Sequence, residues 1–340
     1  MAILSTGALT LADWAKRQDP NGTVAKVGEL LSQKNEVLQD AVFMEGNLPT
    51  GHRSHIRTGL PTVYWRSINA GVPSSKSTTA QVDDSCGILE AYSRVDKDLA
   101  LLNGNTAAFR LSEDSAFLES MNQTQAGTMF YGNPASDARQ YLGLSARYGS
   151  LSAGNAQNIL DAGGTLTANT SIWLVVWGEN GVFCPFPKGS EAGLLHKDDG
   201  ELTVYDTNGN PYKALQSQYQ WKNGLVVKDW RQAVRIANID TAVFSGISGT
   251  QAVTAVATNI LHMMTRALDR VYDLTDGRAA FYMNRSTYSL LRRIAMEKSV
   301  AALALQTGLD QFGTSRNWAS FEGVPLRRVD QIINAEARVV

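Results

Sequence analysis

The chain has 340 residues, 44% of them apolar and 19% charged, and a formal net charge of −1. That length can bury a large core and fits two or three lobes. The composition excludes several classes: there is no Lys/Arg run to track nucleic acid, two distant cysteines (Cys86 and Cys184) make no disulfide framework, and no stretch reaches the roughly 18 apolar residues of a membrane helix.

Residues 1–48 read as an arm with short helices. The N-terminus lacks a charged segment followed by a continuous apolar one, so it does not read as a signal peptide. Thr10 is placed to cap Leu11–Arg17, which ends before Asp19-Pro20. Val24, Val27, Leu30 and Leu31 fall at helical spacing over Val24–Lys34. Val37, Leu38, Val42, Phe43 and Met44 continue as an apolar thread into a loop at 45–51. Arg57–Leu102 then reads as a long hairpin. Its β-prone arms are Thr62–Ile68 and Ile88–Val95, and its polar tip is Asn69–Ser85. A ribbon of that kind has no core of its own and is marginal in water, so it must lie on its own domain or on another subunit. Asp96 reads as the N-cap of a short helix closed by Asn103-Gly104. Phe109, Phe117, Met121 and Met129, at multiples of four, predict a long helix over 106–130. Glu113, Asp114 and Glu119 lie toward its first half, which suits the helix dipole.

Residues 135–170 are rich in Gly, Ala, Ser and Asn and read as irregular. Ile172–Trp177 is a continuous apolar run, expected as a strand covered on both faces. Three Asn-Gly pairs predict hairpin turns. Asn180-Gly181 leads into Val182–Phe186. Asn208-Gly209 joins Leu202–Asp206 to Pro211–Leu215. Asn223-Gly224 joins Tyr219–Trp221 to Leu225–Trp230. With Trp230–Ile239 as a further strand, 171–240 is a β-rich block. Val253, Val256, Ile260, Met263, Ala267 and Val271 mark an amphipathic helix over 251–273. Ala279–Met283 is a strand, Ser286–Val300 a helix and, after a loop, Val324–Val329 a last strand. This end reads as a small α/β lobe, and the fold class is α+β.

Markers of chemistry are scarce. There is no phosphate-cradling loop, dinucleotide fingerprint or nucleophile elbow. His52 and His55 form HxxH, with nothing nearby to complete a tetrahedral set; a polar loop is the plainer reading. His262, on the helix beside Met263, reads as an interface or core histidine. Asp83-Asp84 and Asp96 with Asp98 are the carboxylate clusters from which an acid/base pair would be built, though loop capping and subunit salt bridges are the simpler role. Trp65, Trp173, Trp177, Trp221 and Trp230 are the aromatics a sugar cleft would need, yet two of them share one apolar strand. The residues alone therefore point to an assembly subunit with no visible active site. No metal or cofactor is expected.

Several stretches carry a resemblance: GALTLADWAKRQDPNGTVAKVGELL, MEGNLPTGHRSHIRTGLPTVYWR, LEAYSRVDKDLALLNGNTAAFRLSE, MFYGNP, SIWLVVWGENGV, YQWKNGLVVKDWRQAVRIANID and FEGVPLRRVDQIIN. In order, spacing and length the chain resembles the major capsid proteins of tailed, short-tailed bacteriophages, which have the Hong Kong 97-like fold. The resemblance implies an N-terminal arm over 1–48 and an extended loop over 49–103. It also implies a peripheral domain over 104–250, with a spine helix at 106–130, and an axial-type lobe over 251–340. It further implies hexamers and pentamers closing into an icosahedral shell around double-stranded DNA, held without sequence-specific binding. Scaffold, portal and decoration proteins are the partners to expect, with assembly in the bacterial cytoplasm and no membrane. Trp14, Tyr64, Trp65, Arg66, Arg94 and Asp96 are the expected contact residues. Lys76, Asp83 and Asp84 are candidates for a covalent or ionic lock, and the arms of the hairpin are expected to carry more binding energy than its tip. An encapsulin-like nanocompartment shell shares the fold and is the first alternative. A carbohydrate-active hydrolase or another virion protein comes after it.

Overall fold

The computed structural model describes residues 32–102, 106–165, 167–206, 208–241, 251–296, 303–309 and 315–340, together with Leu9 and Phe244. The helix expected over Leu11–Arg17, most of Val24–Lys34, Trp14 and the Asn103-Gly104 stop lie outside these residues; residues 32–34 are not helical.

The described elements begin with one helical turn, α1 (Val37–Asp40), and a short strand, β1 (Phe43–Glu45). The long hairpin is β2 (Gly51–Gly59) and β3 (Thr78–Asp96), followed by α2 (Lys97–Leu101) and the long helix α3 (Thr106–Tyr131). A turn of helix, α4 (Leu144–Arg147), and a short strand, β4 (Ile159–Asp161), interrupt an otherwise irregular stretch. The β-rich block holds β5 (Asn169–Trp177), β6 (Val182–Phe186), β7 (Leu194–Tyr205), β8 (Pro211–Gly224), β9 (Val226–Val227) and β10 (Ala233–Asp240). Last come α5 (Gln251–Arg270), β11 (Arg278–Met283), α6 (Arg285–Met296), β12 (Leu303–Leu309), β13 (Ser315–Phe321) and β14 (Val324–Arg328).

β5 is buried along its whole length, as its unbroken apolar run predicts. Alternation of side chains along a strand sends Ile172, Leu174 and Val176 to one face, against Ile260 and Met264 of α5 and Leu290 and Leu291 of α6. Trp173, Val175 and Trp177 go to the other face, against Ala126, Met129 and Phe130 of α3. β5 pairs antiparallel with both β10 and β11. The ten-stranded sheet runs β1-β6-β5-β11-β14-β13-β12, with β10 alongside β5 and β4, and β9 alongside β6. The expected α/β lobe is thus not a separate sheet: β11 and β14 continue the sheet of the 171–240 block. Residues 303–309 and 315–321, read as loop, form an antiparallel hairpin.

A second, four-stranded sheet has the order β2-β3-β8-β7. β3 is common to both its halves, pairing with β2 over 78–85 and with β8 over 86–96. Its first arm corrects the sequence reading. Thr62–Ile68 has strand propensity, but a strand needs a partner and a half-buried face. Pro61 and Pro73 cannot donate to a ladder, and the strand that meets β3 is Gly51–Gly59. The Asn-Gly pairs divide for a comparable reason. At Asn208-Gly209 a hairpin forms, with Gly209 at φ 82° and Asp206 Oδ1 accepting from the Asn208 and Asn210 amides at 2.8 Å. After Asn180-Gly181, β6 instead lies parallel to β5 through the single pair Trp177–Val182 and joins β1 and β9. Asn223-Gly224 does not turn: β8 runs straight through it. Its glycine serves close approach, since a Cβ there would stand 2.8 Å from the Ser85 carbonyl oxygen and 3.2 Å from Pro185.

Two buried polar networks tie distant segments to this frame. The Tyr282 hydroxyl accepts from Trp177 Nε1 at 2.8 Å and donates to Asp40 Oδ2 at 3.0 Å, and Arg327 grips both Asp40 oxygens. Burial raises the Asp40 carboxyl despite that guanidinium. Nearby, Arg235 reaches Glu336 at 2.9 Å, Ser171 Oγ at 3.0 Å and the Tyr148 carbonyl at 2.8 Å, with its guanidinium over the Trp173 ring. Glu336 also accepts from Tyr131, at 2.5 Å, and from Ser171. Both charges of the pair are almost fully enclosed. Removing one partner of such a pair costs about 3–5 kcal/mol, because the other charge is left buried and uncompensated. Arg235→Ala is expected to lower the unfolding free energy of the purified chain, measured by denaturant titration, by that amount, and Arg235→Met with Glu336→Leu to recover most of it.

Candidate functional site

The hairpin of β2 and β3 ends in a tip of residues 60–77, every one of them exposed. Backbone ladders are absent there. The tip holds itself through Ser75 Oγ donating to the Thr62 carbonyl at 2.6 Å and Arg66 Nε donating to the Ala70 carbonyl at 2.9 Å, with Asn69 at φ 66°. Leu60, Val63, Trp65 and Ile68 are at least 80% exposed, and Tyr64 and Val72 about half. Burying each large apolar side chain is worth roughly 1.5–3 kcal/mol, so this tip is the largest unrealised apolar gain among the described residues. Its charge is one-sided as well. From Gly46 to Val82 there is no acidic residue, while Arg53, Arg57, Arg66 and Lys76 fall inside that run. A surface that receives the tip must therefore offer apolar area together with carboxylates or carbonyls.

Of the expected contact residues, Tyr64, Trp65, Arg66 and Lys76 all lie in this tip. Tyr64, Trp65 and Arg66 fall in the Thr62–Ile68 segment read as an arm, and Lys76 in Asn69–Ser85, read as the tip. Leu60, Val63, Ile68 and Val72 were missed as candidates. Pro61 and Pro73, which bracket the loop, were the signal that would have found them. Asp83 and Asp84 part company, because neighbours in a strand face opposite ways. Asp83 pairs outward with Arg53 opposite it, at 2.7 Å, and that guanidinium holds its carboxyl below the usual range. Asp84 turns inward onto Arg147 at 2.7 Å and is buried, so it offers no lock to a neighbour. Arg94 is exposed and donates to Gln216 Oε1 at 2.7 Å. Asp96 caps α2, accepting from the Asp98 amide at 2.8 Å. Trp14 lies outside the described residues.

The enzymatic pattern does not assemble. The two adjacent aspartates face apart, Trp65 is in the tip, and Trp173 and Trp177 are core. His52 and His55 also point to opposite faces of β2. Among the described residues no group of three or more metal-ligating side chains comes together. His262 is exposed rather than core.

A body built on a two-faced sheet, a long helix across it and a hairpin with an uncovered apolar tip define a class: a shell subunit of the Hong Kong 97-like type. The comparisons bear on it directly. The family described as Major capsid protein GP7 matches residues 19–340. A chain from the structure of bacteriophage Epsilon15 is 32% identical over 100% of this chain and 99% of its own, with a TM-score of 0.75. The bacteriophage JBD30 capsid (11% identity, 89% and 92% covered, TM-score 0.45) and the SrpI encapsulin of Synechococcus elongatus PCC 7942 (10%, 68% and 97%, 0.42) are more distant. Comparison with curated proteins gave no match. The chain belongs to the Major capsid protein GP7 family. It is a structural protein of a phage virion and works in many copies.

Trp65 is fully exposed among the described residues, so Trp65→Ala should leave chain stability within about 0.5 kcal/mol while particle yield by sedimentation falls. Burial pushes the thiols up, Cys86 to about 11 and Cys184 to about 12. Both are therefore protonated at neutral pH, and their contribution to stability is lost only as the pH rises above the unfolded value of 9.0. At pH 8 the buried Cys184 should resist iodoacetamide in the folded chain and react in denaturant.

Proposed function

We propose that this subunit forms hexamers and pentamers that close into an icosahedral shell around double-stranded phage DNA, with the 60–77 tip of each copy seated on its neighbour. The carrying observation is the tip: apolar, free of acidic residues, held by its own hydrogen bonds and uncovered among the described residues. Many such contacts per shell add through multivalency, and permanent contacts of this kind bury roughly 2,000 Å² or more. Tyr64, Trp65, Arg66 and Lys76 are the contact residues this reading favours, with Arg94, Asp83 and the capping Asp96 on the adjoining arms. Trp14 is assigned to the arm.

In this reading the chain divides into arm (1–48), extended loop (49–103), peripheral domain (104–250) and axial lobe (251–340), with one exception. The hairpin of β7 and β8 is grouped with the extended loop, whose sheet it completes, while β5 and β10 are grouped with the axial strands. DNA is enclosed, not gripped, which agrees with the absence of a basic run. Scaffold, portal and decoration proteins complete the particle, assembly takes place in the host cytoplasm, and no catalytic step belongs to the subunit. A nanocompartment shell would share the fold, but the family match favours the virion.

Negative-stain imaging of the purified chain tests the reading. Closed particles are expected from the wild type. A variant with residues 60–77 replaced by a short Gly/Ser linker should fold, by circular dichroism, and form none. Wild-type shells from that variant would remove the tip from the assembly role. Because the tip is cationic and exposed, its docking should weaken with salt, so particle yield is expected to fall between 0.1 and 1 M NaCl less for Arg66→Gln with Lys76→Gln than for the wild type.

A further inference from the structure

The two histidines of the HxxH pair of β2 sit in different surroundings. His55 is exposed. His52 turns inward, its ring edge-on to Phe183 of β6 with centroids 5.1 Å apart and planes at 86°. The residue directly across the strand pair is Asp84. His52 Nδ1 and Asp84 Oδ2 are both buried and without a hydrogen-bond partner among the described residues, as are Ser54 Oγ and Arg147 Nε close by. Unmet buried polar groups are uncommon and call for an explanation. These gather where the hairpin leaves the body, among β2, β3, β6 and α4.

The charged groups that bear on His52 are Asp84, from β3, and Lys228, just past β9. Arg147 of α4 already occupies the other oxygen of Asp84, and Cys86 of β3 is engaged with the Pro185 carbonyl at 3.4 Å. We propose that this root is an acid-sensitive latch: charging His52 loosens the seating of the β2–β3 hairpin on β6. Protonation would add a cation to a site that already holds Arg147 and Lys228, with the single carboxylate of Asp84, shared with Arg147, to answer it. Burial first, and Lys228 second, hold the imidazole below its ordinary 6.5, against the pull of Asp84. The seated form therefore prefers neutral His52. Its contribution is complete above the unfolded value and is lost as the pH falls through the lower, folded one. The inference rests on contacts within one chain, so it can fail while the shell reading stands, and the reverse.

Amide hydrogen exchange of the full-length chain at pH 7.5 and 5.5, compared as protection factors, tests it. Peptides covering 51–59 and 78–86 should lose protection in the wild type and in His55→Gln, by up to about tenfold for each pH unit by which folding lowers the His52 value. They should hold it in His52→Gln, and β5 should be unchanged throughout. No loss in the wild type, or an equal loss in His52→Gln, overturns the latch. Should His52→Gln not fold, histidine C2–H exchange in the wild type decides: a His52 midpoint below 6.5 supports the latch, and one at or above that value overturns it.

Discussion

The whole body depends on β5 being buried on both faces. A nine-residue strand with no polar face can be stable only if one layer covers each side. The helices α5 and α6 supply one layer, and α3 with the short segments around it supplies the other. Because the strand also pairs along both edges, with β10 and β11, it joins the middle of the chain to its last ninety residues. The two tryptophans of β5 then set what lies beyond the α3 layer. Trp177 anchors the Tyr282–Asp40–Arg327 chain, and Trp173 carries the guanidinium of Arg235. The polar networks add specificity to a packing that the apolar strand already demands.

The long helix is held differently at its two ends. Its last turns sit in the main core with Ala126, Met129 and Phe130. Its first turns meet the four-stranded sheet through a small satellite cluster of Val95, Leu99, Ala100 and Phe109 and through Arg110, which grips Asp198 at 3.0 and 2.7 Å and Ser217 at 2.8 Å. Apolar packing fixes one end and a partly exposed ion pair fixes much of the other. Ion pairs in water contribute little, so the sheet that carries the hairpin is the less firmly attached half of the subunit.

Most of the framework was legible in the sequence because it rests on periodicity. The period-four stripe of α3 was readable from Phe109, Met121 and Met129, and the double burial of β5 from an apolar run with no alternation. What failed was pairing. Propensity marks Thr62–Ile68 as strand, but whether a strand forms is decided by a partner elsewhere in the chain, 19 to 34 residues away for the β2–β3 pairs, and two prolines removed that option. Asn223-Gly224 has the composition of a turn, yet its glycine answers to a neighbouring carbonyl that no local pattern reveals. Tyr64 and Trp65 are uncovered because their segment forms no strand. Asp84 could not be told from Asp83 until the pleat gave them opposite faces.

β3 has mechanical as well as structural consequences. Its nineteen residues form one continuous rod, clamped by β8 from Cys86 onward and reaching beyond that clamp for eight residues to Thr78. At the usual rise this overhang is about 26 Å, so a pivot of about 10° at the clamp carries the far end through some 4–5 Å, by simple lever geometry on that rise. In the proposed shell of pentamers and hexamers, one sequence would meet neighbours at slightly different angles. The overhang would absorb that difference, leaving the tip's own hydrogen bonds and the doubly buried strand unaltered.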